Sequence, residues 1–229
     1  MKNILDEKPD AKIEGRLRES LLFVNDADVK NKTVLDIGCG YGWCELNFLR
    51  KGVKKIVGIE ITEADLATVK KSIHDKRAAF KVSGAIDLPF ADNSFDTVVC
   101  WEVIEHIPKN TEQVMFQEIR RVLKKNGVLY LSTPYNNFFC KVLDPAWWLI
   151  GHRHYSKGSL ESYGRENGFQ VNKTVVKGGW WAILGLLYFY FAKWLFRQST
   201  ESGLIARKSD EEYKKNDGIF DIFVKYTKL

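Results

Sequence analysis

Short apolar runs alternate along most of the chain with longer segments whose apolar residues recur at helical spacing. The short runs are typical of buried strands, and they cover 32–40, 55–61, 78–84, 95–103 and 127–134. The longer segments predict helices over 11–25, 43–52 and 111–125, and a further helix that starts with the capping-box spacing of Thr62 and Asp65. This alternation predicts an α/β fold, in which helices cover both faces of a mostly parallel sheet.

The end of the chain departs from this alternation. Residues 159–169 predict a helix that ends at Gly168, and 169–176 and 218–229 predict two more strands. Between these strands lies GGWWAILGLLYFYFAKWLF, residues 178–196, with eight aromatic residues and one charged residue. The polar stretch 198–218 is predicted to be a mobile, solvated loop that returns the chain to the last strand.

Length and composition narrow the class of protein. We expect residues 1–229 to form a single domain, since this length can bury a core without disulfides. The net charge of +6 is spread over interspersed acidic and basic residues, so no concentrated basic face indicates a nucleic-acid partner. The four cysteines show no C-x-x-C spacing and lie mostly in apolar runs, as reduced thiols of a cytoplasmic protein do.

A glycine-rich loop follows the first predicted strand in VLDIGCGYG, residues 34–42. Glycines there let the backbone approach a ligand at the carboxyl edge of the sheet, where the next helix adds N–H groups. Trp43 stands where the dinucleotide fingerprint has its third glycine, which disfavours a pyrophosphate ligand and a nicotinamide oxidoreductase. Glu60 ends the second strand, where a carboxylate accepts hydrogen bonds from ribose hydroxyls. The site therefore suits a nucleoside without a diphosphate.

The chain resembles class I S-adenosylmethionine-dependent methyltransferases of the small-molecule type, which include ubiquinone and menaquinone methyltransferases. Five segments carry the resemblance, namely VLDIGCGYG, VGIEIT, DLPFADNSFDTVVCWEVIEHIP, EIRRVLKKNGVLYLSTP and ESYGRENGF. The resemblance implies a Rossmann-like sheet of seven strands in the order 3-2-1-4-5-7-6, with the last strand antiparallel, and S-adenosylmethionine as the cofactor. The aromatic-rich segments 138–155 and 178–217 would be helical insertions that cover the substrate or contact a membrane.

The same resemblance implies a set of cofactor-binding residues. Asp36 would orient the methionine amino group, Gly38 and Gly40 would line the methionine moiety, Glu60 would hold the ribose and Ile61 would contact the adenine. The third strand departs from the family pattern, because Gly84 stands where an acidic residue commonly receives the adenine amino group. Ala85 and Asp87 are therefore the candidates there, and Cys39 and Trp101 complete the predicted cofactor-binding set.

An acidic and histidine cluster, WEVIEHIP, follows the fourth strand. Glu102, Glu105 and His106 share one face if the segment turns helically. The side chains could be structural, or His106 could act as an acid or base, or all three could bind a divalent metal as the resemblance to quinone-biosynthetic O-methyltransferases implies. We predict no metal, with His106 and His154 as catalytic candidates and His152 as a further possible base.

The segment 178–196 is long enough to span a bilayer, but the predicted topology opposes a single crossing. The strands on either side should be neighbours in one sheet, so the chain must return to the same side. Tryptophan and tyrosine rings, with Lys193 and Arg197 near the end, are typical of an interfacial membrane contact. A core helix or a homodimer contact are the alternatives.

The sequence therefore predicts a methyltransferase for a small, hydrophobic or lipid-like acceptor, located in the cytoplasm or peripherally at the inner face of the membrane. A polar or glycan acceptor with the aromatic segment as a dimer contact remains open, as does a non-catalytic cofactor-binding scaffold.

Overall fold

The computed structural model describes residues 9–10, 13–196 and 203–229. The start of the helix predicted from residue 11, the predicted membrane-flanking Arg197 and the first part of the predicted return loop therefore lie outside the described residues.

Seven strands in the described residues form one sheet in the order β3-β2-β1-β4-β5-β7-β6, as predicted. Strand β7 runs antiparallel to both β5 and β6, and the pairs among β1 to β5 are parallel. The strands are β1 Thr33–Ile37, β2 Lys55–Glu60, β3 Ala78–Val82, β4 Phe95–Trp101, β5 Leu123–Pro134, β6 Phe169–Lys177 and β7 Asp221–Lys228.

Nine α-helices accompany the strands in the part of the chain that the structure describes. They are α1 Gly15–Phe23, α2 Trp43–Arg50, α3 Ala67–Ser72, α4 Glu112–Val122, α5 Phe138–Leu143, α6 Pro145–Ile150, α7 Lys157–Glu166, α8 Trp180–Phe196 and α9 Gly203–Tyr213. Apolar residues of α1, α2 and α3 pack on one face of the sheet, and those of α4 and α7 pack on the other. The prediction of helices on both faces is confirmed.

Several element boundaries differ from the prediction by a few residues, among them the end of α4 and the start of α3. Helix α4 ends at Val122 rather than near 125, because Leu123 already pairs with Phe95 and opens β5. The turn at Thr62 does form, with Asp65 N donating to Thr62 Oγ1 at 3.2 Å, but α3 begins only at Ala67.

The predicted return loop is wrong in its larger part, because helix α9 occupies 203–213. Tertiary contacts stabilise this charged helix: Asp210 accepts a hydrogen bond from Gly15 N at 2.8 Å and pairs with Arg18 at 2.7 Å. The buried Tyr213 hydroxyl donates to Asp221 at the start of β7. Helix α9 thereby joins the amino-terminal helix to the carboxyl edge of the sheet.

Helix α8 contains the aromatic segment and packs against α9 and α5. Its first turn is capped by Glu212, whose Oε2 accepts hydrogen bonds from Trp181 N at 2.9 Å and Ala182 N at 3.1 Å. Among the described helices, none combines the length and the apolarity needed to cross a membrane.

Candidate active site

The glycine loop connects β1 to α2 at the carboxyl edge of the sheet. Gly38, Gly40 and Gly42 have φ values of 78°, 55° and 92°, a left-handed conformation that favours glycine. A Cβ on Gly38 would lie 2.4 Å from Cγ2 of Val103, so the close approach also requires glycine there. Helix α2 begins at Trp43, directly after the loop. The backbone is therefore curved tightly where the sequence predicted a ligand.

Glu60 fixes the loop to the end of β2. Its Oε1 accepts a hydrogen bond from Gly40 N at 2.7 Å, while Gly38 N and Cys39 N donate to the carbonyl of Ile59 at 3.0 and 3.1 Å. Burial raises the pKa of the Glu60 carboxyl, and the backbone N–H of Gly40 opposes that shift. A carboxylate has room for several donors, so this contact leaves capacity for ribose hydroxyls.

Asp36 and Glu45 are buried carboxyls close beneath the loop. Neither carboxyl receives a hydrogen bond of good geometry from the described part of the chain. Burial raises the pKa of Asp36 to about 7, with a further contribution from the Glu60 charge, and burial raises the pKa of Glu45 well above its usual range. A cationic ligand group at this position would favour the ionised form of Asp36.

The other predicted cofactor residues differ in exposure. Ile61 is 69% exposed directly after β2, and a Cβ on Gly84 would meet nothing within 4 Å, so both positions border open space. Asp87 is exposed, whereas Ala85 is buried in the core. The Trp101 ring is also buried, 6.3 Å from the Phe223 ring centroid, and the Cys39 side chain is only 1% exposed. The cofactor roles of these residues stay predictions.

The segment after β4 does not turn helically, so the expected common face of Glu102, Glu105 and His106 does not form. Glu102 has a φ of 56°, and its N–H donates to the carbonyl of Ser132, which redirects the chain. The Glu102 carboxylate pairs with Arg16 at 2.8 Å and accepts from Ser132 Oγ at 2.6 Å. These two partners hold Glu102 apart from the turn that carries the other two side chains.

Glu105 and His106 lie together beyond Glu102. Glu105 is 3% exposed, and its Oε2 accepts a hydrogen bond from Thr133 Oγ1 at 2.9 Å. Its Oε1 is buried and receives no hydrogen bond from the described residues. Burial and the Glu102 charge raise the pKa of the Glu105 carboxyl. His106 is exposed, and partial burial of its ring, followed by the nearby His152, lowers its pKa.

The insertion after β5 delivers two further histidines to this edge. Asp144 caps α6 through Ala146 N at 2.9 Å, and its Oδ2 lies 2.9 Å from His152 Nδ1 and 3.5 Å from His154 Nε2. The ring centroid of His152 is 4.7 Å from that of His106 and 6.0 Å from that of His154. Burial lowers the pKa of His154 to about 4, which makes this imidazole neutral near pH 7.

The predicted catalytic candidates His106 and His154 are thus assembled around His152. Arg153 holds the two segments together, because its guanidinium donates to the carbonyls of Ile104 and Ile107 at 2.6 Å each. Sequence reasoning missed Asp144 and Arg16 as partners. The Asp-Pro pair at 144 indicates a helix cap, which is correct, but gives no sign of the imidazoles.

A cation could be held at one place in this cluster. Glu105, His106 and His152 each offer a ligand atom, and these atoms lie within 4.8 Å of one another. Glu102, the third member of the set predicted from spacing, is instead engaged by Arg16 and Ser132.

Comparison with known proteins agrees with this geometry. Residues 35–131 match the family of methyltransferase domains. The ubiquinone biosynthesis O-methyltransferase of Neisseria meningitidis serogroup C is 32% identical over 47% of this chain and 46% of its own length. The chloroplastic tocopherol O-methyltransferase of Arabidopsis thaliana is 32% identical over 53% of this chain and 35% of its own length. The chain therefore spans about half or less of these relatives.

Among solved structures, an S-adenosylmethionine-dependent methyltransferase from Mesorhizobium loti has a TM-score of 0.64. It is 14% identical and covers 93% of this chain and 95% of its own, a likeness that shows the fold alone. Together the domain match and the sheet order confirm the resemblance to class I S-adenosylmethionine-dependent methyltransferases.

The family and the fold imply S-adenosylmethionine as the cofactor, and the residues present fit it. The glycines let the loop backbone approach a ligand closely, Glu60 is placed for the ribose, and the buried Asp36 carboxyl, which receives no hydrogen bond of good geometry, is placed for a cationic group. When bound, this cofactor supplies a methyl group already activated by its sulfonium, so the protein contributes mainly orientation and exclusion of water.

Proposed function

We propose that the protein transfers a methyl group from S-adenosylmethionine to a small, hydrophobic acceptor at a membrane surface. The observation that carries methyl transfer is the glycine loop tied to Glu60 at the carboxyl edge of a 3-2-1-4-5-7-6 sheet, within the segment that matches the methyltransferase domain family. The residues that surround this edge support the choice of a hydrophobic acceptor and of a membrane surface.

The polar cluster beyond β4 and β5 supports an acceptor that loses a proton. Methyl transfer to a hydroxyl requires a base within hydrogen-bond reach, and a neutral imidazole serves best. His154 is kept neutral by burial, and His106 is exposed to an incoming acceptor. The names of the ubiquinone and tocopherol relatives both describe O-methyltransferases, which favours oxygen as the acceptor atom here.

Exposed aromatic residues in the insertion after β5 support a hydrophobic acceptor and a membrane contact. Phe138 is 72% exposed on α5, and Trp148 and Leu149 are 65% and 74% exposed on the next helix, α6. The ring of Phe139 joins this surface to α8, with its centroid 5.0 Å from that of Trp180. Exposed aromatic rings in such a surface are typical of the membrane interface. We propose that the protein is cytoplasmic and lies peripherally at the inner face of the membrane.

Cofactor binding is tested by isothermal titration with S-adenosylhomocysteine. Glu60→Ala should weaken binding at least tenfold, because the ribose loses its acceptor and the loop loses its tie to β2. The matched control Glu63→Ala removes an exposed carboxylate three residues later and should leave the affinity unchanged. Absence of binding by the wild type would contradict the cofactor assignment.

The acceptor is tested with labelled S-adenosylmethionine and two probes, catechol and a catechol that bears a geranyl chain. We expect faster methyl transfer to the geranyl compound. Equal rates, or a preference for plain catechol, would refute a hydrophobic acceptor. Cofactor binding without transfer to either probe would refute a phenolic hydroxyl as the group that is methylated.

The membrane contact is tested by sedimentation with vesicles of phosphatidylcholine and phosphatidylglycerol. Phe138→Ser and Trp148→Ser should each reduce the bound fraction several-fold. Leu229→Ser is the control, since this residue is 67% exposed but lies past the far end of β7. If the wild type stays in the supernatant as a dimer and Trp148→Ser is a monomer, the aromatic surface is instead a contact between two copies.

A further inference from the structure

The buried carboxyl of Glu105 raises a question that methyl transfer does not answer. It is 3% exposed, yet its Oε1 receives no hydrogen bond from the described residues, and the nearest imidazole atom in an ion pair with it is Nε2 of His152, at 3.8 Å. Burying a carboxylate without a partner is costly, so a cation bound beside this oxygen would stabilise the ionised form of Glu105.

We propose that Glu105, His106 and His152 bind a divalent transition-metal ion such as Zn²⁺, with His152, from the insertion after β5, taking the place that spacing predicts for Glu102. All three ligand atoms lie within 4.8 Å of one another. Ligand atoms around a tetrahedral zinc ion lie roughly 3.3 Å apart, because each bond is about 2.0–2.1 Å long. Ion binding would therefore draw the ligand side chains closer together, and His106 is exposed.

The surroundings of each ligand match those of a metal site. Asp144 Oδ2 accepts the Nδ1 proton of His152 at 2.9 Å, which leaves Nε2 as the unprotonated ligand atom directed toward Glu105. Thr133 Oγ1 fixes the other oxygen of Glu105 at 2.9 Å. Partners of this kind orient metal ligands and set the imidazole tautomer.

The ligand set also indicates the class of ion. Two imidazoles and one carboxylate suit zinc and its neighbours, whereas magnesium prefers oxygen ligands and retains its water. Three protein ligands leave a further position open. A bound ion there would supply a Lewis acid for an oxygen atom of an acceptor.

Glu102 is excluded as a ligand by its own contacts. Arg16 at 2.8 Å neutralises its charge, and Ser132 holds its second oxygen at 2.6 Å. These contacts therefore separate two ligand sets that the sequence spacing cannot separate. Ion binding at this site does not depend on the proposed methyl transfer.

The test uses the full chain after treatment with EDTA, titrated with Co²⁺ and followed by its visible absorption, and with Zn²⁺ by calorimetry. We expect one equivalent of either ion, and no competition from millimolar Mg²⁺. His152→Ala and Glu105→Gln should each weaken binding at least tenfold. Glu102→Gln and the distant, exposed His74→Ala should stay within about threefold of the wild type.

Asp144→Asn separates a positioning role from a merely structural one. Asparagine still caps α6 but no longer draws the Nδ1 proton as a carboxylate does, so Zn²⁺ affinity should fall by about 10–100-fold. Titration with S-adenosylhomocysteine without metal shows that each variant is folded, independently of the ion. Absence of Co²⁺ binding by the wild type, or loss of binding in Glu102→Gln with retention in His152→Ala, would overturn the assignment.

Discussion

Gly38 and Gly52 form a matched pair that separates backbone strain from steric overlap in the glycine loop. Their φ values are nearly equal, at 78° and 81°. A Cβ on Gly52 would meet only Lys30 Cγ at 3.9 Å, whereas a Cβ on Gly38 would lie 2.4 Å from Val103 Cγ2. Alanine at Gly52 therefore tests the left-handed backbone alone, and alanine at Gly38 tests the backbone together with the overlap.

The expected destabilisation follows from these two contributions. An alanine with positive φ costs about 1 kcal/mol of unfolding free energy, so Gly52→Ala should lose that amount. Valine is stiff about χ1, and overpacking adds about 1–3 kcal/mol, so Gly38→Ala should lose about 2–4 kcal/mol. Adding Val103→Ala to Gly38→Ala should recover most of the overlap.

Urea unfolding followed by circular dichroism measures these three variants and the single variant Val103→Ala. We expect the double variant to be more stable than the sum of its single changes predicts, by about 1–3 kcal/mol. Equal losses for Gly38→Ala and Gly52→Ala, or strict additivity with Val103→Ala, would refute the close approach of the loop to Val103.

Two further predictions concern the carboxyl edge and helix α8. Burial, then the Glu102 charge, raises the pKa of Asp221 to about 8, so the folded state holds a proton that the unfolded state releases near pH 4. The stability contributed by this group is present at low pH and lost as pH rises through 8. The free energy of unfolding of the wild type should therefore fall, relative to that of Asp221→Asn, by about 1 kcal/mol per pH unit between pH 5.5 and 7.5. Parallel plots of unfolding free energy against pH for the two proteins would contradict this. Glu212→Ala removes the cap of α8 and should lower the free energy of unfolding in urea by about 1 kcal/mol. Replacing the exposed neighbour Glu211 by alanine should change that free energy by less than about 0.5 kcal/mol. Equal effects of the two substitutions would exclude the cap.

The sheet could be predicted because its strands are continuous apolar runs. Residues such as Leu35, Val57 and Val98 are buried between two layers of helices. Strands buried in this way appear in a single sequence as continuous apolar runs. The order of the strands came from the family resemblance and is confirmed.

Helix α9 could not be predicted, because tertiary contacts stabilise it more than its own pattern does. Its segment is mostly charged, and its ties run to Gly15 and Arg18, almost 200 positions earlier in the chain. The turn after β4 was missed for a similar reason. A left-handed Glu102 is rare for a residue with a side chain, and Ser132 and Arg16 hold it there from distant parts of the chain.

Asp144 connects the outer and inner faces of the insertion after β5. The same carboxylate that caps α6, which displays Trp148 and Leu149 outward, also holds His152 and His154 inward. A change in the geometry of α6 that moves Asp144 would therefore also shift the two imidazoles. By thermodynamic reciprocity, a ligand bound by those imidazoles would alter the affinity of the outer surface by the same factor. Binding at the outer surface of α6 and binding at the imidazoles would then depend on the same conformational equilibrium of the insertion after β5.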